Sequence, residues 1–251
     1  LSIINEGVDD KGILKAIFLA GGPGSGKTWV TRGLYGIPKK YNFSPGHGLK
    51  LVNQDTELEF LLKKYFGTTD LDNMPEELFA DVTGVDFQGK DVKMNSGMRA
   101  YAKSLTKARM ENYVRGRLGV IIDGTGHKYQ SIAGKKQKFE DLGYDCYMVF
   151  VNTSLEIALQ RNSERDRVVP EKIVRDSWHD VQQNLGGFQR LFGRNFIIVD
   201  NSKKRDEDSA KDFFESLVKQ GVNKFVKAPI KNSIGKKWIK RARLLKKQGI
   251  K

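Results

Sequence analysis

The sequence predicts an α/β fold, a parallel five-stranded sheet with helices on both faces. Two observations predict it. Short apolar runs alternate along the chain with longer helical stretches, and the first apolar run breaks directly into glycines at Gly21. Parallel strands are buried on both faces and are joined by crossover helices, so they appear in a sequence as short apolar runs between helices.

Five apolar runs are predicted as the strands of this sheet. The third and the fifth each end at an aspartate, Asp123 and Asp200. The runs are 16–20, 49–52, 119–122, 147–151 and 196–199. The main helical stretches are 28–34, 98–115, 135–141, 155–164 and 171–185.

The chain divides into a polar lead-in (1–12), one α/β domain (13–226) and a basic C-terminal tail (227–251). Within the domain, residues 67–95 are rich in Gly, Asp and Asn and have no sustained period, so we expect an insertion with little regular structure. It follows the second strand. Because ligands of open α/β sheets bind beyond the carboxyl ends of the strands, this insertion is expected either to shape a binding site or to form a surface loop.

Composition narrows the class of protein. The chain has 251 residues, 39% hydrophobic and 29% charged, which suits one domain with a full core. Its single cysteine, Cys146, excludes an internal disulfide and a cysteine-based zinc site. No run approaches the roughly 20 apolar residues that span a bilayer, and the N-terminus has no secretory-signal pattern. We therefore expect a cytoplasmic protein with no membrane partner.

Lysine and arginine outnumber aspartate and glutamate by 44 to 30, a net charge of +14. Much of the excess lies after residue 230. A surplus of this kind attracts polyanions such as nucleic acid. The basic tail is therefore either a nucleic-acid contact or a solubilising, disordered segment.

The glycine-rich break is a complete phosphate-binding loop. The pattern G-x-x-x-x-G-K-[ST] runs from Gly21 to Thr28, with an apolar strand before it and a helix after it. The loop backbone and the helix N-terminus bind phosphate oxygens, while Lys27 bridges the β- and γ-phosphates and Thr28 holds Mg²⁺. The predicted nucleotide-binding residues of the loop are Gly22, Pro23, Gly24, Ser25, Gly26, Lys27 and Thr28.

Nucleotide binding alone does not distinguish a kinase from other classes of nucleotide-binding protein. The chain has no Asn-Lys-x-Asp guanine signature, and one domain of this length is short for a helicase or a transport ATPase. A kinase is therefore favoured, with ATP and Mg²⁺ as its cofactors.

Two aspartates follow predicted strands at the edge where the phosphate loop lies. Asp55, after the second strand, is either the general base for an acceptor hydroxyl or a helix N-cap. Asp123, at the end of the third strand, either holds a water on Mg²⁺ or contacts the acceptor, or it forms a plain turn. A lone histidine such as His127, four residues further on, is given no role.

Arg161 and Arg165 are four residues apart and therefore lie on one face of a helix. A helix surface with many salt bridges has the same pattern. The pair follows the fourth strand and comes just before a second helix, where small kinases carry a lid that closes over the phosphates. This position favours the lid.

Together these motifs resemble the kinase domain of the phage-type polynucleotide 5′-hydroxyl kinases and the wider zeta-toxin-like group of P-loop kinases. The resemblance extends over about residues 15–185. It rests on the phosphate loop, on Asn53-x-Asp55, on the strand that leads to Thr125, and on Arg161-Asn162-Ser163-x-Arg165 followed by Val169-Pro170.

The resemblance implies a nucleoside-kinase-like P-loop fold and assigns roles to several residues. It implies that Asp55 is the general base, that Lys27 and Arg165 stabilise the transition state, and that Arg161 assists in the lid. It also implies that Asn201 and Ser202 contact the nucleobase.

Two positions depart from the family pattern. Its nucleic-acid kinases carry an arginine shortly after the base, where this chain has Thr56-Glu57-Leu58-Glu59, which weakens the case for a polynucleotide acceptor. The acid of the third strand, Asp123, also falls one position early.

Three functions follow from these observations. The first is an ATP-dependent kinase for the 5′-hydroxyl of a nucleic acid, and the second is a kinase for a nucleotide, nucleoside or sugar nucleotide. The third is a nucleotide-binding virion or interaction protein with little catalysis. The segment 4–7 (Ile-Asn-Glu-Gly) motivates it by its resemblance to sites cut by phage head-maturation proteases. The compartment would then be the host cytoplasm or a virion.

Overall fold

The computed structural model describes residues 7–67, 76–83, 97–164, 168–203, 205, 207–217 and 223–249. They form a six-stranded sheet in the order β2-β3-β4-β1-β5-β6. Four of the five strand pairs are parallel, and β2 pairs antiparallel with β3. The strands are β1 (Lys15–Ala20), β2 (Phe43–Ser44), β3 (Leu49–Val52), β4 (Val120–Ile122), β5 (Asp145–Asn152) and β6 (Phe196–Asp200).

All five predicted strands are present, and the α/β prediction is confirmed. The prediction missed β2, the edge strand, which pairs Phe43 with Lys50 and Ser44 with Leu49. Two residues are too few to produce a period in the sequence, so only the pairing with β3 identifies this strand.

Ten α-helices and one short 3₁₀-helix (Gly193–Asn195) accompany the sheet within the described residues. The α-helices are α1 (Lys27–Tyr35), α2 (Gln54–Phe66), α3 (Glu76–Thr83), α4 (Met98–Arg115), α5 (Tyr129–Asp141), α6 (Leu155–Ser163), α7 (Glu171–Phe192), α8 (Glu207–Leu217), α9 (Asn223–Lys227) and α10 (Ser233–Lys247). No helix among the described residues is long and apolar enough to cross a membrane.

The core has one apolar layer on each face of the sheet. Alternate residues of β1 point to opposite faces, as the two-residue period of a strand requires. Phe18 packs with residues of α4, α5, α7 and α10, whereas Ile17 and Leu19 pack with residues of α1, α8 and α9. Helices therefore cover both faces, as predicted.

Leu58 and Leu62 of α2, Phe79 of α3 and Ala102 of α4 form a smaller apolar cluster. The expectation of little regular structure in the insertion is wrong for residues 76–83, which form α3. Tertiary burial explains this helix, because Phe79 is only 5% exposed and packs against α2 and α4. The other insertion residues, 68–75 and 84–95, lie outside the described part of the chain.

The predicted basic tail contains a docked helix, α10, so the alternative of a disordered tail is wrong for residues 233–247. Trp238 and Ile239 pack against the main core, and Gly235 is buried. The charge of this segment is conspicuous in the sequence, whereas its apolar contacts depend on the tertiary fold.

The chain order creates a crevice at the carboxyl ends of the central strands. The connection after β1 leads to β3 on one side, whereas the connection after β5 leads to β6 on the other. Adjacent strands whose connections diverge in this way leave a crevice beyond their carboxyl ends, and ligands of open α/β sheets bind there. The phosphate loop follows β1 directly into this crevice.

Candidate functional site

The phosphate loop follows a path that only glycine accommodates. Gly24 and Gly26 have φ values of +74° and +79°, in the left-handed region. A Cβ on Gly24 would lie 2.1 Å from the carbonyl oxygen of Ala158, and one on Gly26 would lie 2.4 Å from Nδ2 of Asn201. The loop is thus packed tightly against α6 and the end of β6.

The end of α1 at the loop has the features of a phosphate site. Its N-cap is Gly26, which provides no side-chain hydrogen bond, and the N–H groups at a helix N-terminus bind phosphate. Nζ of Lys27 lies against the loop and donates to the carbonyl oxygens of Gly21 (2.6 Å) and Gly22 (3.2 Å). Thr28 is exposed in the first turn.

Residues distant in sequence hold this loop. Nδ2 of Asn201 donates to the carbonyl oxygen of Ser25 over 2.9 Å, and Nη1 of Arg161 donates to the carbonyl oxygen of Asn201 over 2.8 Å. The backbone of Trp178 in α7 lies 3.5 Å from where a Cβ on Gly22 would be. The loop is therefore enclosed by three elements and is preorganised for a ligand.

The two predicted acids lie at the ends of neighbouring strands. The N–H of Asp123 donates to the carbonyl oxygen of Val52 over 3.0 Å, which joins the end of β4 to the end of β3. Oδ1 of Asn53 accepts from the N–H of Asp55 over 2.8 Å, so Asn53 is the N-cap of α2. The alternative of Asp55 as the N-cap is therefore wrong, and its carboxylate lies exposed in the first turn.

The carboxyl group of Asp123 has a shifted pKa, and both burial and neighbouring charges contribute to the shift. Burial raises its pKa, the negative charge of Asp55 raises it further, and the positive charge of Lys27 lowers it. The charges of Lys27 and Asp55 therefore both act on the Asp123 carboxyl. The structure brings together Lys27, Asp55 and Asp123, which the sequence predicted to lie at one edge.

Two shielded oxygen atoms fit a phosphate and a hydrated metal ion. Among the described residues, Oγ of Ser25 and Oδ1 of Asp123 are buried and have no hydrogen-bond partner. Buried polar atoms in native proteins are normally hydrogen-bonded, so a ligand is the simplest partner for these two. No group of three His, Cys, Asp or Glu side chains able to hold a metal occurs in the described part of the chain. A magnesium ion bound mainly through phosphates and water needs no such group.

Four other predicted residues lie outside this cluster, and one of them, Arg165, lies outside the described residues. Arg161 lies in α6 beside the phosphate loop, whereas Arg165 belongs to 165–167, which the structure does not describe. Asn201 is 3% exposed and holds Ser25, so its amide serves the loop instead of a nucleobase. Oγ of Ser202 donates to Asp200 and accepts from the N–H of Ser154.

His127 and Asn162, for which no individual role was predicted, hold residues close to them in the chain. Nδ1 of His127 is hydrogen-bonded to Oγ1 of Thr125, and partial burial lowers its pKa. The side chain of Asn162 spans the segment after the predicted lid, accepting from the N–H of Val169 (3.1 Å) and donating to its carbonyl oxygen (2.6 Å). In the sequence, only the Arg161-Asn162 motif points to the contact between Asn162 and Val169.

Sequence comparison matches residues 17–187 to the model of a family described as "AAA domain". No curated protein sequence matches the chain significantly.

Several solved structures are similar to this chain at low identity. One is a chain of the Pnkp1/Rnl/Hen1 RNA repair complex, with 18% identity and a TM-score of 0.46 over 70% of this chain. This chain spans only 46% of that one. Another is from the PezAT toxin–antitoxin system of Streptococcus pneumoniae, with 11% identity, a TM-score of 0.48, and 86% and 88% of the two chains covered. A third is a shikimate kinase from Bacteroides thetaiotaomicron, with 14% identity, a TM-score of 0.44, and 82% and 97% covered.

Proposed function

Because the chain belongs to the AAA domain family, whose model spans residues 17–187, and has a P-loop kinase-like fold, we propose that it is an ATP- and Mg²⁺-dependent kinase. It transfers the γ-phosphate to a hydroxyl acceptor, for which the 5′-hydroxyl of a nucleic acid is our first candidate. The observation that carries the proposal is the grouping of Lys27, Asp55 and Asp123: the charges of Lys27 and Asp55 both act on the pKa of the buried Asp123 carboxyl.

The loop side of the site binds the triphosphate. Its backbone N–H groups and Lys27 neutralise the phosphate oxygens, and the ammonium of Lys27 follows the charge that develops on the transferred group. Thr28 and Asp123 are the residues that would hold Mg²⁺, directly or through water. When bound, the ion would supply positive charge that neutralises the phosphate oxygens.

Asp55 is the base. The acceptor hydroxyl gives its proton to the Asp55 carboxylate, its oxygen forms a bond to the γ-phosphorus, and the bond from that phosphorus to the β,γ-bridging oxygen breaks to release ADP. The structure supports this role in one respect: Asp55 is not needed as a helix cap, because Asn53 provides it.

Two arginines complete the proposed machinery. Arg161 lies beside the phosphate loop, with Nη1 3.8 Å from where a Cβ on Gly26 would be. Arg165 is assigned by its sequence position four residues later. Both would add positive charge around the transferring phosphoryl group.

A nucleic-acid acceptor is supported by the surface of the helices that follow Asp55. Phe60 and Tyr65 of α2 are 60% and 61% exposed, and Tyr101 of α4 is 53% exposed. Nζ of Lys64 lies 5.4 Å from the centre of the Tyr65 ring. Exposed aromatic rings among cations bind single-stranded nucleic acid by stacking on the bases and pairing with the backbone.

A small-molecule acceptor is the second candidate, and Glu57 favours it. The nucleic-acid kinases that the sequence resembles have an arginine shortly after the base to hold a substrate phosphate. Here that region carries Glu57, which forms an ion pair with Arg109 of α4. The Glu57 carboxylate does not attract a phosphate, and the charge of Arg109 is already paired with it. An acceptor that carries no phosphate near Glu57 is therefore also compatible with the site.

The test uses labelled ATP and two sets of acceptors. One set comprises 5′-hydroxyl single strands, duplexes and RNA, and the other comprises nucleotides, nucleosides and sugar nucleotides. We expect Mg²⁺-dependent label transfer to a member of the first set, and a loss of about 10²–10⁴-fold in turnover for Asp55→Asn. The matched control is Glu59→Gln, an exposed acid of the same helix, which should keep full turnover.

The outcomes separate the candidates. Transfer only to the second set replaces the nucleic-acid acceptor by a metabolite. ATP binding without transfer to either set, unchanged by Asp55→Asn, overturns the kinase proposal in favour of a nucleotide-binding protein with little catalysis.

A further inference from the structure

Helix α10 carries a dense, single-sign charge. Its fifteen residues include no acid. Its basic residues are Lys236, Lys237, Lys240, Arg241, Arg243, Lys246 and Lys247, and Lys231 lies just before it. We refer to these eight residues as the α10 basic surface.

This helix is firmly attached to the domain. Oδ2 and Oδ1 of Asp145 accept from the N–H groups of Lys231 and Asn232, each over 2.9 Å. Oδ1 of Asn232 then caps α10, accepting from the N–H of Ile234 over 2.9 Å. The backbone of Gly235 packs so closely on that of Gly143 that a Cβ would lie 2.2 Å from the Gly143 carbonyl oxygen. The basic side chains are thus held on a rigid support.

Part of the apolar side of α10 packs against the domain, although Ile234 and Leu244 remain exposed. Trp238 and Ile239 pack against the main core, while all eight cations of the α10 basic surface are exposed. Among the described residues, Asp9 is the acid that pairs with this helix, through Lys246, and it also acts electrostatically on Arg243. Most of the positive charge therefore faces solvent.

The α10 basic surface lies at the opposite edge of the sheet from the phosphate loop. Asp145 and Lys15 are the first residues of β5 and β1 and are paired in register, whereas the loop follows the last residue of β1. Six residues of β1 at about 3.3 Å each separate the two edges by roughly 20 Å. This surface is therefore distinct from the proposed phosphotransfer site.

We propose that the α10 basic surface binds the phosphate backbone of a nucleic acid, without sequence preference. Fifteen helical residues extend about 22 Å, which spans roughly six phosphates of one strand of a duplex. Anionic lipid attracts cations too, but an amphipathic helix that lies on a membrane inserts its apolar face. Here Trp238 and Ile239 are packed on the core, and the large apolar residues of α10 left exposed are Ile234 and Leu244. Nucleic acid needs only the exposed cations, so the structure favours it.

The test compares two variants with the same loss of charge. One changes Lys236, Lys240, Arg243 and Lys247 to Gln, and the control changes Lys39, Lys40, Lys172 and Lys211, all exposed and outside α10, to Gln. The probe is a 20-nucleotide single strand with a 5′-phosphate and a 3′ fluorophore, so it offers no 5′-hydroxyl for phosphorylation. Binding is measured by anisotropy between about 50 and 200 mM salt, and folding by circular dichroism.

We expect the α10 variant to bind at least tenfold more weakly than the parent at low salt, and the control to change by less than threefold. The slope of log K against log salt should decrease by about 0.7 for each phosphate that the variant no longer neutralises. Lysine acetylation of the unmodified protein provides a second measure, in which the probe should protect α10 lysines and leave Lys39 and Lys40 reactive.

Equal weakening of both variants, or no protection of α10, overturns the proposal in favour of attraction by net charge alone. So does absence of probe binding by the parent. Binding to phosphatidylserine vesicles that the α10 variant loses, without oligonucleotide binding, assigns the surface to a membrane instead. Because the probe has no acceptor hydroxyl, each result is independent of whether the protein is a kinase.

Discussion

Nδ2 of Asn53 donates a hydrogen bond of 2.8 Å to Oδ2 of Asp123, while Oδ1 of the same amide accepts from the N–H of Asp55 over 2.8 Å. One side chain thus connects the two acids of the proposed site. It fixes where α2 begins and which way the Asp123 carboxylate points. Asn53 is a positioning residue in this arrangement, since it acts through its neighbours.

Asn53→Asp should separate the two functions of this amide. Aspartate caps a helix about as well as asparagine, so the start of α2 should be kept. Its negative charge, however, disfavours ionisation of Asp123 and raises the pKa of that carboxyl further. If Asp123 acts as an anion, the acidic limb of the pH profile of kcat/KM should move to higher pH.

Asn53→Ala is the companion variant. It removes the cap, worth about 1 kcal/mol, as well as the hydrogen bond to Asp123, so both stability and kcat should fall. An unchanged pH profile for Asn53→Asp, with activity reduced only in proportion to stability, would reduce Asn53 to a helix cap.

Asp123→Asn should stabilise the protein while removing activity. Burial raises the pKa of Asp123 above its ordinary 3.8, so ionising this carboxyl is less favourable in the folded state than in the unfolded state. The charged group therefore destabilises the fold at any pH above its raised pKa, and Asn removes that penalty. Residues that destabilise the fold in this way are common at functional sites.

The pH dependence of stability checks whether the charged Asp123 carboxyl destabilises the fold. As pH falls through the raised pKa of Asp123, the parent protein binds the proton and loses the penalty. The stability gain of Asp123→Asn should therefore shrink and disappear below 3.8. Thermal unfolding of both proteins from about pH 7 down to about pH 4 measures it. A gain that is constant over this range, or a loss at pH 7, would contradict the assignment.

The strand-to-loop part of the site could be predicted from the sequence, because each feature there is local. An apolar run, a complete G-x-x-x-x-G-K-[ST] motif and a following helix determine β1, the phosphate loop and α1. Asp55 and Asp123 could also be placed at one edge, because both follow predicted parallel strands. The sequence does not reveal that β3 and β4 are adjacent, with Val52 paired to Ile122, and that pairing is what allows Asn53 to reach Asp123.

The remaining features depend on packing between distant segments. The backbone of Trp178 lies against Gly22, and Nε1 of Trp178 donates to the carbonyl oxygen of Thr153 over 2.9 Å. No period or motif connects these positions. Helices α3 and α10 were missed for the same reason, since Phe79 and Trp238 become core residues only once α2, α4 and α5 are in place.

Gly24→Ala should abolish tight nucleotide binding. Its Cβ would lie 2.1 Å from the carbonyl oxygen of Ala158, and the residue has φ of +74°, so the loop must move away from α6. We expect ATP affinity to fall at least tenfold, measured by calorimetry.

Gly36→Ala is a matched control because φ is +57° there but no atom lies within 4 Å of the added Cβ. It should lose only about 1 kcal/mol of stability through backbone strain and bind ATP normally. Equal ATP affinity for the two variants would show that contact with α6 does not shape the loop.

Asp145→Asn should loosen α10 as well as destabilise the domain. The carboxylate of Asp145 is 3.2 Å from Nζ of Lys15, whose side chain is 3% exposed, and it also accepts the two backbone N–H groups that precede α10. Removing one partner of a buried ion pair leaves an uncompensated charge and costs about 3–5 kcal/mol. For a chain of this size that lowers the unfolding temperature by roughly 6–20 °C.

Three further measurements test the cause of this destabilisation. Burial already lowers the pKa of Lys15, and loss of the Asp145 charge lowers it further. The Lys15 ammonium therefore loses its proton more readily in the folded variant than in the folded parent. The stability deficit of Asp145→Asn should therefore become smaller as pH rises toward the ordinary 10.5 of lysine, and adding Lys15→Met should restore most of it at pH 7. Hydrogen exchange of α10 amides should speed up in the single variant because the anchor of Lys231 and Asn232 is weakened. Slow, parental exchange in α10 would mean that Trp238 and Ile239 alone hold the helix in place, and that Asp145 serves only its ion pair with Lys15.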